Sequence, residues 1–429
     1  MTNAKPSSRN PWAWIPTLYF GQGIPYVVVM TISVIMYKKL GISNTDIAYY
    51  TSWLYLPWVI KPLWSPLIDI FRTKRFWIVL LQMVIGASLA AAAFSIPLNS
   101  YFQWSLAIFW LMAFSSATHD IAADGFYMLA LEQHQQAAFV GVRSTFYRIA
   151  MITGQGALVY LAGHLEMTTG SIPTAWSITL LVIAGLFLSI AIYHRFILPY
   201  PKSDISAVQE VSAATVLKEF FKTFGTFFKK KEIVVILSFL LLYRFAEAQL
   251  VKLVTPFLLD SRSDGGLGLT TGDVGIAYGT IGVIALTLGG LLGGYVISKH
   301  GLRFWLWVMV VAIHLPDAVF VYLSYVQPDN FILICAAIGI EQFGYGFGFT
   351  AYLMYMVMIS DGPYKTAHYA ICTGFMALGM MIPGMFSGAL QDWIGYRHFF
   401  IWVMASTIPG FLIAMVVTID SSFGKKKEQ

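Results

Sequence analysis

Two aspartates inside a long apolar run are the residues of this sequence best placed to do chemistry. Asp120 and Asp124 are four residues apart, so on a helix they share one face, one turn from each other. Ionisable groups at bilayer depth are costly unless they have a partner, a water-filled cavity or a function. We therefore expect both to serve proton coupling, with Asp120 loading and releasing the proton, although both could instead serve helix packing or gating. The next run returns to similar depth at Arg148, which predicts an Asp124–Arg148 ion pair.

A second group of ionisable residues lies in the second half of the chain. Glu341, flanked by Gln342 and close to Tyr345, is expected to recognise a proton or a hydroxyl group. Arg244 and Glu247 are three residues apart, so they either neutralise each other on one helix face or contact the solute. The planar guanidinium group of arginine suits a carboxylate or a phosphate. We therefore predict substrate-binding roles for Arg244, Glu247 and Tyr345.

Other polar and aromatic residues in the apolar runs are candidates for contact with a solute. A Gly-x-Gly-x-Pro pattern loosens the first run, where Gln22 and Tyr26 could bind and stack on a sugar ring. The same glycines could equally serve a helix–helix contact. His314 and Asp317 bracket Pro316 three residues apart and predict a structural pair. The remaining candidates for solute contact are Lys61, His119, Arg148 and Tyr243.

The sequence lacks the motifs of several classes of functional site. There is no Gly-rich loop ending in Lys-Ser/Thr, no His-Glu-x-x-His and no cysteine cluster. Cys335 and Cys372 both fall inside apolar runs, which predicts buried thiols rather than a disulfide or a metal site. We therefore predict no catalytic residues, no cofactor and no metal. No cytoplasmic segment is long enough for an ATPase domain, so transport would be secondary.

The composition indicates that the lipid bilayer is the solvent of this chain. Apolar residues make up 58% of it, charged residues 11%, and the mean hydropathy is +0.69. A soluble domain carries about 25% charged residues, so this chain could not solvate an ordinary surface. The formal net charge of +6 is spread over alternating loops rather than over one basic face. We therefore predict no nucleic-acid partner.

The apolar runs are long enough to be membrane-spanning helices. A span needs about 20 residues, and continuous runs exclude the short alternating segments of a β-barrel. The sequence predicts an all-α membrane protein of about twelve transmembrane helices in two six-helix halves. The predicted spans are approximately 11–37, 46–68, 76–97, 103–131, 139–161, 174–198, 232–258, 272–298, 302–326, 330–359, 365–389 and 398–419.

The distribution of lysine and arginine predicts the orientation of these spans. Positive residues are concentrated in the loops of one side, and the loops of the other side hold Lys38, Lys39, Arg262 and Arg397. The positive-inside rule then places both termini in the cytoplasm. The first run is too long for the apolar core of a cleavable leader and has no small-residue cleavage site, so it is expected to be the first span.

The longest polar stretch divides the chain into equal halves. We predict an N-terminal half over residues 1–198, a linker over 199–231 and a C-terminal half over 232–429. Within the linker, phenylalanines alternate with lysines over 216–228, which predicts an amphipathic helix on the membrane surface, with partner binding as the alternative.

Each half also contains a close-packed helix end followed by a short basic loop. In the first half this is WSPLIDIFRTKR at 64–75, and in the second GGLLGGY at 289–295 followed by a loop ending at Arg303. Such repeats are typical of transporters with a substrate site near the bilayer midplane. The plan resembles the major facilitator superfamily. KPLWSPLID at 61–69 and SATHDIAADG at 116–125 resemble its subgroup of muropeptide permeases and acetyl-CoA transporters.

The resemblance carries expectations for residues and departures from the pattern. It implies a major facilitator fold and a cytoplasmic gate formed by Asp69 with Arg72 and Arg75. The family usually has glutamine where this chain has His119, and the second-half loop lacks an acidic residue equivalent to Asp69. The resemblance therefore does not indicate whether His119 recognises a polar group of the solute.

Together, the residues and the resemblance predict a secondary active transporter. We expect proton-coupled uptake of a muropeptide or related amino-sugar solute across a bacterial inner membrane by a monomer. Its partners would be a small polar organic solute, protons and the lipid bilayer. One alternative is an exporter or facilitator of another anionic solute, such as an acyl-CoA-like molecule or a siderophore. A remote alternative is a membrane-embedded acyltransferase, which only the adjacent His119 and Asp120 support.

Overall fold

A computed structural model of the protein describes residues 9–131, 133–201, 204, 213–361, 365–421 and 423–424. All the regular secondary structure in these residues is helical. In chain order, helices α1 to α15 are Pro11–Lys39, Asn44–Trp53, Leu56–Phe71, Lys74–Ser95, Tyr101–Ala130, Gln133–Ile152, Val159–Thr169, Ile172–Ile197, Ala213–Phe228, Ile233–Leu259, Thr271–His300, Leu302–Val326, Phe331–Ile359, Lys365–Ala405 and Ile408–Val416.

Helix length and apolarity confirm an all-α membrane protein. Within the described ranges, nine helical segments are long and apolar enough to cross a bilayer. The last of them, Ala367–Val416, has 50 residues, which is about twice the length of one span, and it bends at Gly395, where φ is 73°. The pairs α2–α3 and α6–α7 are further long helical stretches with more polar residues. This arrangement is consistent with the twelve predicted spans.

Several helices are interrupted where the sequence places proline, glycine or charge. A π-helical segment, Val28–Ile32, follows Pro25 in α1, and another, Gly275–Gly282, lies in α11. Helix α10 breaks between Leu242 and Phe245, and a 3-10 turn, Leu315–Asp317, interrupts α12 at Pro316. Proline cannot donate the backbone hydrogen bond that continues a helix, which accounts for the turn in α12. These interruptions place polar residues of α10 and α12 at irregular backbone.

The chain forms two compact units. Unit 1 comprises residues 1–32, 60–154 and 161–222, and unit 2 comprises 33–59, 155–160 and 223–429. In unit 1, α4 packs against α5 and α8, and α1 packs against α6 around a core that includes Trp14 and Phe126. In unit 2, α13 packs between α11 and α12, and α14 packs against α2 and α10. The division at 199–231 remains a prediction.

The linker contains the helix that the phenylalanine spacing predicts, over Ala213–Phe228. Phe221 is 69% exposed, whereas Phe227 is fully buried and its ring lies 5.5 Å from that of His368. One face of α9 therefore carries an exposed aromatic ring, and its last turn packs into unit 2. Apposition of this helix to the membrane surface stays a prediction.

Candidate functional site

In unit 1, Asp124 of α5 is held by an arginine and a tyrosine. Nη2 of Arg143 lies 2.8 Å from Oδ1 of Asp124, and the Tyr19 hydroxyl donates to the same oxygen at 3.3 Å. The guanidinium group of Arg143 also lies over the rings of Tyr19 and Tyr127, at 4.5 and 5.0 Å from their centroids. A partly exposed ion pair with two aromatic neighbours fixes the charge of Asp124 in place.

The predicted partner of Asp124, Arg148, was therefore wrong, and the ion pair that the structure describes is with Arg143. The reason is the tightness of the connection, because α5 ends at Ala130 and α6 begins at Gln133. The residue of α6 that lies at the same depth as Asp124 is therefore close to the start of that helix. After a longer loop, it would lie further along the helix. The sequence signal is Arg143 itself, which lies inside the predicted span 139–161 and nearer than Arg148 to the start of that span.

The other unit 1 candidates lie on several helices. Asp120 is half-buried on α5, one turn from Asp124, and its role as a proton carrier stays a prediction. Tyr26 and Lys61 are half-buried, and Gln22 is 8% exposed, with no hydrogen-bond partner for its Oε1 in the described part of the chain. A Cβ atom at Gly23 would lie 2.7 Å from that of Ala150 on α6, so close helix packing explains this glycine.

His119 belongs to a buried hydrogen-bonded network. Its side chain has no exposed surface, and its Nε2 lies 3.0 Å from Nε2 of Gln82. Oε1 of Gln82 lies 2.8 Å from Nδ1 of His194, whose Nε2 lies 2.8 Å from the Thr17 hydroxyl. The network encloses His119 between α4, α5 and α8, which indicates a structural role, and solute contact by this residue stays a prediction. Single polar residues in apolar runs, Gln82 and His194, were the signal that we missed.

We predict that His119→Leu destabilises the protein while His119→Gln is tolerated. Leucine leaves the buried Gln82 amide without its partner, which costs about 1–3 kcal/mol, whereas glutamine can restore a hydrogen bond. Thermal unfolding of both purified variants measures the difference. The Michaelis constant for the solute should be unchanged in His119→Gln. A raised Michaelis constant with normal stability would instead assign His119 to the solute site.

The predicted cytoplasmic gate residues lie around the start of α4. The backbone amides of Lys74 and Arg75 donate to the Asp204 carboxylate at 2.7 and 3.0 Å, so Asp204 caps this helix from the linker. The Arg75 side chain donates to the Leu198 carbonyl and lies 3.8 Å from the Tyr200 ring centroid. Arg75 therefore anchors the chain that follows α8.

The other two gate residues lie on either side of the end of α3. Arg72 is exposed, with its guanidinium group 5.5 Å from the ring centroid of Phe76. Asp69 lies on α3, and its side chain is outside the described residues. The gate of Asp69, Arg72 and Arg75 stays a prediction.

In unit 2, Arg244 lies at the break in α10 against two aromatic rings. Its guanidinium group donates to the Tyr345 hydroxyl and lies 4.6 Å from the ring centroid of Phe349 and 5.3 Å from that of Tyr345. The residue is 8% exposed, and its Nε has no partner among the described residues. This arrangement presents a cation with a spare donor beside aromatic faces.

Glu247, Asp317 and Glu341 meet in a cluster that we call the carboxylate triad. One carboxylate oxygen of each residue lies within 4.8 Å of those of the other two. They come from α10, α12 and α13 and are 2%, 1% and 1% exposed. Nε2 of Gln342 donates to Oε2 of Glu341 at 2.9 Å. Three acidic groups that are distant in sequence thus share one buried position.

Neither pair predicted by spacing forms a direct ion pair or hydrogen bond between the described side chains, although the charges of Arg244 and Glu247 act on each other electrostatically. Arg244 is the residue before the second segment of α10, so it does not share a continuous helix with Glu247. The turn Leu315–Asp317 likewise breaks the regular spacing between His314 and Asp317, and the ring nitrogens of His314 have no partner in the described part. Sequence spacing assumed helices that are continuous, and both helices break at these residues.

Tyr243 packs inside an aromatic cluster of unit 2. It has no exposed surface, and its hydroxyl donates to the Gly348 carbonyl at 2.9 Å. Its ring lies 4.8 Å from that of Phe239 and 5.5 Å from that of Tyr352. Its side-chain hydroxyl is thus satisfied inside an aromatic cluster, and a solute contact for Tyr243 stays a prediction.

A further polar set in unit 2 joins α1 and α2 to α10 and α14, and we call it the latch. Nζ of Lys38 lies 2.5 Å from Oδ1 of Asp260. Nδ2 of Asn44 donates to Oε1 of Gln391 at 2.7 Å and to the Tyr396 hydroxyl at 2.9 Å, and that hydroxyl donates to Asp260 at 2.6 Å. Sequence reasoning missed the latch because its members lie far apart along the chain.

Comparisons with known proteins agree with this fold. A sequence model of the Major Facilitator Superfamily matches residues 17–313. The chain is 24% identical to the anhydromuropeptide permease of Escherichia coli (strain K12) over 411 residues, which cover 93% of this chain and 78% of the relative. It is 28% identical to the Rickettsia conorii protein named AmpG 4 over 409 residues, covering 92% and 93%.

Two solved structures are similar in fold. The nucleoside transporter NupG matches with a TM-score of 0.70 at 17% identity, covering 95% of this chain and 99% of that one. The D-xylose-proton symporter matches with a TM-score of 0.70 at 11% identity, covering 96% and 98%. At these identities the likeness describes the arrangement of helices alone.

Proposed function

The chain belongs to the Major Facilitator Superfamily, and from this we propose that it imports anhydromuropeptides or related amino-sugar solutes together with protons. It is a multi-pass membrane transporter of small solutes and not an enzyme, as its family and its relatives indicate. The proposed setting is a bacterial inner membrane, with both termini in the cytoplasm and a monomer as the working unit.

The choice of solute is supported by one observation above the others. The similarity to the anhydromuropeptide permease extends over 93% of this chain, so it covers both predicted halves. The surroundings of Arg244 fit such a solute, because a guanidinium group suits a carboxylate and aromatic rings suit the face of a sugar. Arg244, Tyr345 and Phe349 supply those groups together at the break in α10.

Coupling to protons is supported by the acidic residues at bilayer depth. Asp120 and Asp124 lie on α5, and Glu341 lies on α13. Asp124 forms an ion pair with Arg143, so we assign it the role of holding α5 against α6. Asp120 is the proposed proton carrier, and Glu341 is a second acidic group on the proposed path.

Uptake by purified protein in proteoliposomes tests the proposal. We expect labelled anhydromuropeptide to accumulate under an inward proton gradient and a protonophore to abolish the accumulation. Labelled CoA esters, offered in parallel, should not enter. Uptake that is independent of the proton gradient would contradict proton coupling. Uptake of CoA esters but not of anhydromuropeptide would favour the alternative, transport of another anionic solute.

We predict that Arg244→Ala weakens transport of anionic solutes selectively. Loss of a charge-assisted hydrogen bond costs about 1.5–3 kcal/mol, so the Michaelis constant should rise about tenfold or more for a solute with a free carboxylate. A neutral analogue, such as the amidated muropeptide, should be affected much less. Arg303→Ala, at an exposed position of α12, is the matched control. Equal losses for charged and neutral solutes would remove Arg244 from the solute site.

A further inference from the structure

The carboxylate triad lies where two of its three helices are irregular. Glu247 is in the first turn of the second segment of α10, and Asp317 ends the 3-10 turn of α12 and precedes its last segment, Ala318–Val326. Broken helices within transporters commonly line ion sites, because they bring polar side chains and free backbone groups to bilayer depth. The third member, Glu341, comes from the middle of the continuous helix α13.

Four of the six carboxylate oxygens of the triad lack a donor among the described residues. Within the described residues, neither oxygen of Asp317 has a hydrogen-bond partner, and the same holds for Oε2 of Glu247 and Oε1 of Glu341. Asp317 is only 1% exposed, and an oxygen of it lies within 4.8 Å of one from each other member. Buried carboxylates at this spacing repel one another and lose hydration, and the nearby charge of Arg244 offsets only one of them, so protonation or a bound cation must balance the rest.

The backbone favours the ionised form of two of these groups. The N-terminal end of a helix carries a partial positive charge that stabilises a nearby anion. Glu247 and Asp317 each lie at such an end, and the side chain of Asp317 makes no capping hydrogen bond to the backbone. The backbone charge at both positions offsets part of the cost of burying an anion, and Oε2 of Glu247 and both oxygens of Asp317 remain available.

We propose that Glu247, Asp317 and Glu341 bind a sodium ion at the break of α10 and the turn of α12. Cations that prefer oxygen bind carboxylates at about 2.4 Å, and two oxygens on opposite sides of one are about 4.8 Å apart. Arg244 already offsets one of the three negative charges, so with one carboxyl group protonated a single monovalent ion balances the charge that remains, whereas calcium would also need six to eight oxygens and magnesium a near-ideal octahedron.

The binding of sodium does not depend on the identity of the solute. Its use as a driving ion does rest on the proposed function, in which Asp120 of α5 remains the proton carrier. For this reason the test measures ion binding on the full-length protein without solute, so that its result is separate from the uptake experiment.

Thermal unfolding of the purified protein in detergent tests the site. Choline chloride is replaced by sodium chloride at constant ionic strength and pH, with potassium, calcium and magnesium chlorides as separate series. We expect sodium alone to raise the melting temperature, by about 2–4 °C at saturation. Asp317→Asn should lose this shift. Asp329→Asn, whose side chain is 95% exposed, should keep it and serves as the matched control.

A second variant and a direct measurement keep the test decisive. Glu341→Gln should also lose the sodium shift, and binding of radioactive sodium to the wild-type protein should saturate and disappear in both triad variants. The same shift with potassium, retention of sodium binding in Asp317→Asn and Glu341→Gln, or a response to a divalent ion alone would each overturn the proposal. Stability that depends on pH with no response to sodium would assign the triad to protons and overturn it as well.

Discussion

Replacing Gly388 by alanine is expected to abolish transport by preventing the latch from closing. A Cβ atom at this position of α14 would lie 2.2 Å from the carbonyl oxygen of Asn44, at the start of α2. The contact is with backbone, so no change of rotamer relieves it. Overpacking typically costs about 1–3 kcal/mol, which corresponds to a shift of about 5–150-fold in a two-state equilibrium.

This local clash should affect the whole transport cycle because it lies at the latch. Transporters of this kind alternate between conformations in which polar contacts on one side break and re-form. Lys38, Asn44 and Asp260 can make their contacts only while α2 lies against α14 and α10. A methyl group at Gly388 keeps α2 away from α14, so the conformation with the closed latch loses its stabilising contacts.

Accessibility of a cysteine behind the latch measures this directly. Ser52 is fully buried, and its hydroxyl has no hydrogen-bond partner in the described part, so Ser52→Cys removes no bond that the structure shows. In Gly388→Ala, this cysteine should react faster with a membrane-impermeant maleimide, and uptake should fall to background. Gly294 of α11 has nothing within 4 Å of the position that a Cβ atom would take, so Gly294→Ala is the control. In this variant the labelling rate of the cysteine and the uptake should both stay normal. Normal uptake by Gly388→Ala would contradict the role of the latch.

The fold could be predicted from the sequence because each span is encoded locally. A continuous apolar run of sufficient length has no stable option in lipid except a helix, which satisfies its backbone groups internally. The predicted run at 174–198 and the observed α8, Ile172–Ile197, agree within two residues. The largest error at a helix start concerns α6, predicted from 139 and observed from Gln133. Its first turn is glutamine-rich, so apolarity could not reveal it.

For the site, the sequence indicated which acidic residues matter but not which residues they contact. Asp124 and Glu341 were recognised as costly acidic residues, but their partners depend on tertiary packing that spacing does not encode. Asp317 is 70 residues from Glu247 along the chain, and they meet only because α10 and α12 both pack near α13. Spacing also predicted two local pairs, but the helix breaks leave no direct hydrogen bond or ion pair within either of them among the described residues. Sequence periodicity assumes regular helices, and it fails at the irregular positions where buried charges gather.

Asp120→Asn is expected to separate the driving force from the translocation step. Asparagine has nearly the size of aspartate and keeps polar contacts, but it cannot release a proton. A gradient of one pH unit corresponds to 1.36 kcal/mol, which supports up to about tenfold accumulation for each coupled proton. In the variant this accumulation should fall to simple equilibration, while counterflow exchange without a gradient continues. Both are measured with labelled solute in the same proteoliposomes.

Asp124→Asn supplies the contrast that makes this result specific to Asp120. Asp124 neutralises Arg143 at 2.8 Å, so its replacement leaves a guanidinium group without that charge partner at bilayer depth. We therefore expect Asp124→Asn to impair accumulation and counterflow together and to lower thermal stability. If Asp120→Asn accumulates solute normally, the proton must be carried elsewhere, and Glu341 becomes the group to test. If it loses counterflow as well, Asp120 contributes to the translocation pathway itself, because an isosteric polar side chain did not replace it.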